Sequence, residues 1–187
     1  MHPEFLTVNG VPYRILKLLG KGKGGYSYLA ENESGNRFTL KQIHHEPCDY
    51  YQFGDKLASE LRDYELLHSI GIPMPTLYAI DHQNERLLKE YIEGDTIYDL
   101  VLRGRMEERY IRQMEALCEI LYEKGLNIDY FPTNFIPRDG KLLYIDYECN
   151  DYMEEWDFAH WGIHYWSATE TFRKYAKEHG HAETETL

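Results

Sequence analysis

The chain has 187 residues and carries 20 basic against 32 acidic side chains, which gives a formal net charge of −12. An acidic balance disfavours a nucleic-acid partner or an anionic membrane surface, because Lys and Arg bind the phosphate groups of both. No apolar run reaches the roughly 18 residues that a membrane-spanning helix needs, and the amino terminus lacks a basic-then-apolar signal pattern. Three cysteines, an odd number, argue against a disulfide framework. These features predict a folded cytoplasmic protein.

The first half of the chain alternates short apolar segments with turn residues, which is typical of antiparallel strands. A change to helical spacing of leucines predicts one helix over residues 51–69, and the prolines at 73 and 75 end it. Five segments fit strands: residues 13–19, 26–30, 38–43, 76–80 and 86–92. The first half therefore predicts a five-stranded sheet with one inserted helix.

The second half becomes helical after Gly94. Residues 110–122 carry the apolar stripe of an amphipathic helix, and two short apolar segments around the turn at residues 137–140 predict a hairpin. A last helical region over residues 156–177 carries all three tryptophans, whose crowding predicts a core position. We expect two domains, residues 1–91 and 92–187, with a cleft between them.

Most of the negative charge lies in the second predicted domain. Residues 1–91 hold ten basic and twelve acidic side chains, a balance of −2, whereas residues 92–187 hold ten and twenty, a balance of −10. Residues 146–157 contain six acids and no base. This stretch is either a solvated acidic face or a site that holds metal ions or attracts a cationic substrate.

A glycine motif lies between the first two predicted strands of the meander. Residues 20–25 read Gly-Lys-Gly-Lys-Gly-Gly, so that Gly20, Gly22 and Gly25 satisfy the pattern G-x-G-x-x-G. In a dinucleotide-binding fold the glycines open a helix, which is not expected here. Glycines between two strands let backbone N–H groups approach phosphates closely. An ordinary glycine-rich turn is the alternative interpretation.

Lys41 stands sixteen residues after Gly25, inside a predicted apolar strand. It is either an exposed alternating position or a cation that faces a site, and in the second case its ammonium group needs an acidic partner or a phosphate. Glu60 on the predicted helix can supply that partner. Glu65 is the alternative, because the register of this helix is uncertain.

Three side chains with oxygen atoms lie at loop and strand ends in the second half. Asp129 and Asn134 are five residues apart in the loop that follows a helix, and Asp146 ends a strand twelve residues later. A single aspartate in a loop more often caps a turn. The three together are the oxygen ligands that a hard cation such as Mg²⁺ prefers, in combination with the phosphates of a nucleotide.

In this order and spacing the motifs resemble the protein-kinase-like superfamily of ATP-dependent phosphotransferases, over roughly residues 13–158. The resemblance is greatest to its reduced bacterial members, which include small Ser/Thr-kinase-like proteins and aminoglycoside phosphotransferases. It implies an α+β, two-lobed protein-kinase-like fold. The first lobe would be an antiparallel five-stranded sheet with one helix, and the second lobe would be truncated and mostly helical.

The resemblance also assigns roles around the phosphates. It implies that the glycine loop covers them and that Lys41, held by Glu60, contacts the α- and β-phosphates of ATP. Asp146 and Asn134 would hold Mg²⁺, and Asn134 belongs to the same catalytic loop as Asp129. Asp129 would orient the acceptor hydroxyl and accept its proton.

The resemblance places the adenine base on the segment that joins the two halves. The backbone at Glu90 and Ile92 would hold its edge, and we expect Ile15, Leu19 and Leu40 to floor the apolar slot.

Several residues depart from the family pattern. Asn127 stands where the family has a histidine, at a position that supports the loop, and Asp146 is followed by Tyr147 and Glu148 rather than Phe-Gly. No Ala-Pro-Glu follows, so that the peptide platform of a protein kinase is missing or replaced. Asp157 matches the structural aspartate that the family carries later in the chain.

These features predict an ATP- and Mg²⁺-dependent kinase that phosphorylates a hydroxyl group, most simply a minimal Ser/Thr protein-kinase-like enzyme. A small-molecule kinase of the aminoglycoside phosphotransferase type and a catalytically weak pseudokinase are alternatives. A structural metal site on His160 and His164, or on His179 and His181, is a third. The acceptor is unidentified, the acidic stretch favours a cationic one, and the oligomeric state is open.

Overall fold

The structure, a computed structural model, describes residues 3–22, 24–45 and 55–179. It divides into two compact units. The first contains the described residues of Met1–Glu60 and Pro75–Tyr91, and the second contains those of Leu61–Met74 and Ile92–His181. Residues 61–74, which the sequence analysis groups with the first domain, thus belong to the second unit, and the division falls inside helix α1 (Lys56–Ser69).

The first unit is built on a six-stranded antiparallel sheet, which confirms the α+β class and adds one strand to the five expected. The additional strand precedes the others in the chain and pairs with the next strand across Asn9 and Gly10. The strands are β1 (Phe5–Val8), β2 (Val11–Lys21), β3 (Gly25–Glu31), β4 (Arg37–Ile43), β5 (Leu77–Asp81) and β6 (Arg86–Glu90). In space their order is β1-β2-β3-β4-β6-β5.

The two faces of this sheet carry different side chains, because successive residues of a strand point to opposite sides. One face buries an apolar cluster that includes Ile15 and Leu40. Lys41 follows Leu40 on β4 and therefore points to the other face. The expectation that Ile15 and Leu40 floor the apolar slot is wrong, since both side chains are buried in the cluster on the face opposite to Lys41, whose same-face neighbours on β4 are Thr39 and Ile43. For Leu19 the expectation stays a prediction.

The second unit combines helices with two small sheets. The helix expected at residues 110–122 is present, and its buried stripe includes Met114 and Leu121. The expected hairpin is also present. The helices are α2 (Ile97–Leu102), α3 (Glu108–Glu123) and α4 (Glu170–His179), and the strand pairs are β7 (Leu126–Ile128) with β10 (Cys149–Asp151) and β8 (Phe135–Arg138) with β9 (Lys141–Tyr144).

The unit contains less helix than expected, because the region at 156–177 is not one helix. Two 3₁₀ turns, Glu154–Trp156 and Gly162–Tyr165, precede α4. The tryptophans differ accordingly: Trp166 is fully buried, as predicted, whereas Trp156 is 52% exposed.

Two cysteines of the described part, Cys118 and Cys149, are free thiols, and Cys48 lies outside it. Burial raises the pKa of the Cys118 thiol to about 11. In the part of the chain that the structure describes, no helix combines the length and the apolar character needed to cross a bilayer.

Candidate functional site

Lys41 and Glu60 form an ion pair within the first unit. Both side chains are largely buried, and the carboxylate offsets part of the cost of removing the ammonium group from water. Glu65, the alternative partner, is exposed. Gly24 lies over the pair, since a Cβ atom added there would be 3.6 Å from Oε1 of Glu60 and 3.8 Å from Nζ of Lys41. The glycine loop therefore lies directly against the ion pair.

The positions of the motif require glycine for different structural reasons. A Cβ atom on Gly25 would lie 2.4 Å from the carbonyl oxygen of Gln42 on the neighbouring strand, so that only glycine fits. A Cβ atom on Gly20 or Gly22 would meet no atom of the described residues within 4 Å. Packing thus requires Gly25, whereas Gly20 and Gly22 leave room for a ligand to approach the backbone.

Glu90 and Ile92 lie at and just after the end of β6. The backbone N–H of Glu90 donates to the carbonyl of Thr76 at 2.8 Å. Ile92 is 4% exposed and packs in the second unit against Ile136 and Leu143. Its side chain is a core residue, so that any contact of Ile92 with a ligand has to come from its backbone.

Asp129 and Asn134 share one loop of the second unit, directly after β7. Oδ1 of Asp129 accepts a hydrogen bond from the N–H of Phe131 at 3.0 Å. Nδ2 of Asn134 donates to the backbone carbonyl of Asp129 at 3.3 Å. This contact uses the amide donor of Asn134 within the loop and leaves its oxygen as the group suited to a cation.

Asp146 is held next to this loop. Its Oδ1 accepts a hydrogen bond from the N–H of Tyr147 at 2.8 Å. The preceding residue, Ile145, donates its N–H to the carbonyl of Asn134 at 2.9 Å. The structure therefore places Asp129, Asn134 and Asp146 near one another in the second unit: Asn134 is hydrogen-bonded to Asp129, and Ile145, the residue before Asp146, is hydrogen-bonded to Asn134.

Tyr144 is a site residue that the sequence analysis missed. Its hydroxyl accepts from the N–H of Asp129 at 3.4 Å and donates to the carbonyl of Glu148 at 2.9 Å. Burial first, and then the carboxylate of Asp146, raises the pKa of Tyr144 well above its ordinary value. The signal in the sequence is a tyrosine at the end of an apolar strand, two residues before Asp146.

Asn127 supports the loop, as its position in the family pattern implies. It is buried, its Nδ2 donates to the carbonyl of Met153 at 2.9 Å, and its Oδ1 accepts from the hydroxyl of Tyr130 at 3.2 Å. The carbonyl of Tyr130 accepts from the indole N–H of Trp166 at 2.8 Å. Gly162 lies against the same tyrosine, because a Cβ atom there would be 2.7 Å from that of Tyr130. These contacts together fix the position of Tyr130, the residue after Asp129.

Asp157 is buried and holds local turns. Its carboxylate accepts from the backbone and the ring of His160 at 2.7 and 2.9 Å and from the hydroxyl of Tyr152 at 3.0 Å. Burial acts to raise the pKa of Asp157, but these hydrogen bonds outweigh it and the pKa is lowered.

The structural metal site on histidines gains no support. His160 and His164 do not share a helix, contrary to the expectation, because His160 precedes the 3₁₀ turn that contains His164. Over the residues that are described, no three His, Cys, Asp or Glu side chains are grouped to hold a metal ion. His181 lies outside the described residues.

Comparison with known proteins points to one superfamily. No family model matches the chain. The chain is 32% identical over 151 residues to the serine/threonine-protein kinase PknA of Nostoc sp., which covers 72% of the chain and 27% of that kinase. It is 28% identical over 155 residues to the KEOPS complex subunit Bud32 of Pyrococcus abyssi, over 74% of the chain and 70% of Bud32. It is 25% identical over 146 residues to the serine/threonine-protein kinase pkn2 of Myxococcus xanthus, over 74% of the chain and 18% of that kinase.

The chain therefore spans about a quarter of the length of the Nostoc kinase and less than a fifth of the Myxococcus kinase. The resemblance to aminoglycoside phosphotransferases remains a prediction. The matched relatives and the kinase-like order of motifs agree with each other, and the chain belongs to the protein-kinase-like superfamily.

Proposed function

We propose that the chain is an ATP- and Mg²⁺-dependent phosphotransferase of the protein-kinase type, which transfers the γ-phosphoryl group to a hydroxyl acceptor. The observation that carries the proposal is the buried ion pair of Lys41 and Glu60 beneath Gly24. A lysine held in this way is a fixed positive charge for phosphate groups. The relatives named as serine/threonine-protein kinases support the same reaction.

The first unit binds the nucleotide in this proposal. Lys41 contacts the α- and β-phosphates, while Glu60 fixes the direction of its side chain. The backbone N–H groups of the glycine loop approach the phosphates at Gly20 and Gly22, where no side chain intervenes. The backbone at Glu90, with that of Ile92, holds the edge of the adenine ring.

The residues of the second unit fit a magnesium ion. Asn134 and Asp146 supply an amide and a carboxylate oxygen, and Mg²⁺ prefers such hard ligands together with phosphates and water. Bound there, Mg²⁺ would neutralise charge on the phosphoryl oxygens.

Asp129 acts as the general base. Its Oδ1 accepts the N–H of Phe131, which fixes the carboxylate in the loop. The carboxylate orients the acceptor hydroxyl and takes its proton as the new bond to the γ-phosphorus forms, while the bond from that phosphorus to the bridging oxygen breaks and ADP leaves. The acceptor is a protein or a small molecule. A cationic acceptor and a cytoplasmic location stay predictions from the composition.

The test is nucleotide binding and ATP turnover by the purified protein, with Mg²⁺ and with excess chelator. Asp129→Asn should lower turnover by about 10²-fold or more while the dissociation constant for ATP changes little. Asp139→Asn, in an exposed turn, is the matched control. Absence of ATP binding would refute the proposal, and binding without turnover in the unmodified protein would identify a pseudokinase.

A further inference from the structure

Lys89 on β6 is, like Lys41, a buried lysine of the first unit, with 4% of its surface exposed. Strand register pairs Lys89 with Thr39 and Lys41 with Leu87. Leu88 belongs to the apolar cluster on the opposite face of the sheet. Because side chains alternate along a strand, Lys89 lies on the same face as Lys41.

The register also sets how close the two lysines are. Lys89 is the diagonal cross-strand neighbour of Lys41, a relationship that separates residues by about 7–8 Å. Lysine is rarely buried, because removing an ammonium group from water is unfavourable unless the surroundings favour its charge. A second lysine here therefore adds positive charge to the face that carries the Lys41–Glu60 pair.

If the proposed function is correct, the position of Lys89 along the strand puts it next to the base of the nucleotide. It directly precedes Glu90, whose backbone holds the purine edge in the proposed function. A nucleotide with its phosphates at Lys41 and its base at Glu90 lies along this face. Its base then meets the cross-strand pair of Thr39 and Lys89.

We propose that Lys89 is a specificity-determining residue that favours purine nucleoside triphosphates with a carbonyl group at C6, such as GTP and ITP. The inference rests on the proposed function. An ammonium group carries three donors and no acceptor. The carbonyl oxygen at C6 accepts a charge-assisted hydrogen bond from it, whereas the 6-amino group of adenine presents another donor. The site thus takes 6-oxopurine triphosphates at least as well as ATP.

Calorimetric titration with ITP and with ATP, each with Mg²⁺, tests this directly. The two nucleotides share ribose and phosphates, so that the ratio of their dissociation constants reports on the recognition of the base at C6 and N1. For the unmodified protein, the dissociation constant for ITP divided by that for ATP should be at or below one. Lys89→Met, which keeps the length of the side chain and removes the ammonium, should raise the ratio by about tenfold or more.

Two further variants make the test specific. Lys89→Arg keeps a side chain that only donates and should retain the low ratio. Lys141→Met removes an exposed lysine of β9 and should leave the ratio unchanged. If both nucleotides bind and the ratio for Lys89→Met stays within twofold of that for the unmodified protein, the role of Lys89 is refuted and the proposed function stands. If neither nucleotide binds, the proposed function itself fails and the inference fails with it.

Discussion

The hydroxyl group of Tyr144 accepts a hydrogen bond from the backbone nitrogen of Asp129 across 3.4 Å. The same hydroxyl donates to the carbonyl of Glu148, 2.9 Å away. It thereby joins the loop of the proposed base to the segment that follows Asp146. Because its pKa is raised well above the ordinary value by burial and by nearby carboxylates, Tyr144 stays protonated and keeps this donor.

Replacing Tyr144 by phenylalanine should disturb catalysis more than nucleotide binding. Tyr144→Phe keeps the ring and leaves the partly buried N–H of Asp129 and the carbonyl of Glu148 without this partner. We expect turnover to fall about tenfold or more, since one lost hydrogen bond of this kind is worth about 1–3 kcal/mol. The affinity for ATP should change less than twofold, as measured by titration. Tyr78→Phe, at a tyrosine that is 55% exposed, is the control, and unchanged turnover in Tyr144→Phe would remove this residue from the site.

Alanine substitutions at two glycines of the motif should differ in their effect on the free energy of unfolding. Gly25→Ala places a Cβ atom 2.4 Å from the carbonyl of Gln42, so that the two strands have to separate. We expect the free energy of unfolding to fall by about 1–3 kcal/mol, the usual effect of overpacking. Gly22→Ala meets no atom of the described residues within 4 Å, and its stability should stay within about 0.5 kcal/mol. Denaturant unfolding of both variants measures the difference, and equal stability would contradict this account of Gly25.

Strand β1 shows how far the fold could be predicted from the sequence. Alternation of apolar residues predicted five strands, but β1 has only four residues and its alternation is too short to recognise. Its turn carries the stronger signal. Asn9 and Gly10 both have positive φ, at 50° and 82°, and Asn-Gly is the preferred pair for a two-residue hairpin. The sixth strand was therefore predictable from turn chemistry rather than from periodicity.

Only the motif residues of the candidate site could be predicted from the sequence. The spacing along the chain, together with the family resemblance that it carries, predicted Lys41, Glu60, Asp129 and Asn134 as candidate site residues. It did not show which face of β4 carries Lys41, because register between strands is set by tertiary pairing. The assignment of Leu40 to a slot was wrong for this reason. The contact of Tyr144 with Asp129 likewise depends on how the β8–β9 hairpin packs against the loop, which no local pattern records.

Trp166 should stabilise the loop through its indole N–H as well as its ring. Trp166→Phe keeps an aromatic ring but leaves the buried carbonyl of Tyr130 without its donor at 2.8 Å. We expect a loss of about 2–4 kcal/mol in the free energy of unfolding, which combines an unpaired carbonyl with a smaller ring. Trp156→Phe changes a tryptophan that is 52% exposed and should cost less than about 0.5 kcal/mol. Comparable losses in the two variants would show that the hydrogen bond to Tyr130 contributes little.

Asp81 makes the stability of the first unit depend on pH in the acid range. Its carboxylate accepts hydrogen bonds from the side chain and the backbone of Asn84, both at 2.9 Å, and from the N–H of Asn9 at 2.8 Å. The side-chain hydrogen bond from Asn84 is the largest cause that lowers the pKa of Asp81, to about 2. Since the pKa is lower in the folded than in the unfolded chain, the contribution of Asp81 is complete above about pH 4 and is lost as the pH falls towards 2.

Asp81→Asn should therefore be less stable than the unmodified protein by about 1–2 kcal/mol at pH 7, because an amide cannot accept all three donors. The difference should shrink between pH 4 and pH 2, where the unmodified carboxyl group becomes protonated and loses the same hydrogen bonds. Denaturant unfolding at a series of pH values measures both curves. Asp139→Asn, at an exposed turn where φ is 51°, is a suitable control, because asparagine adopts this conformation readily. A difference between Asp81→Asn and the unmodified protein that stays constant down to pH 2 would contradict the lowered pKa.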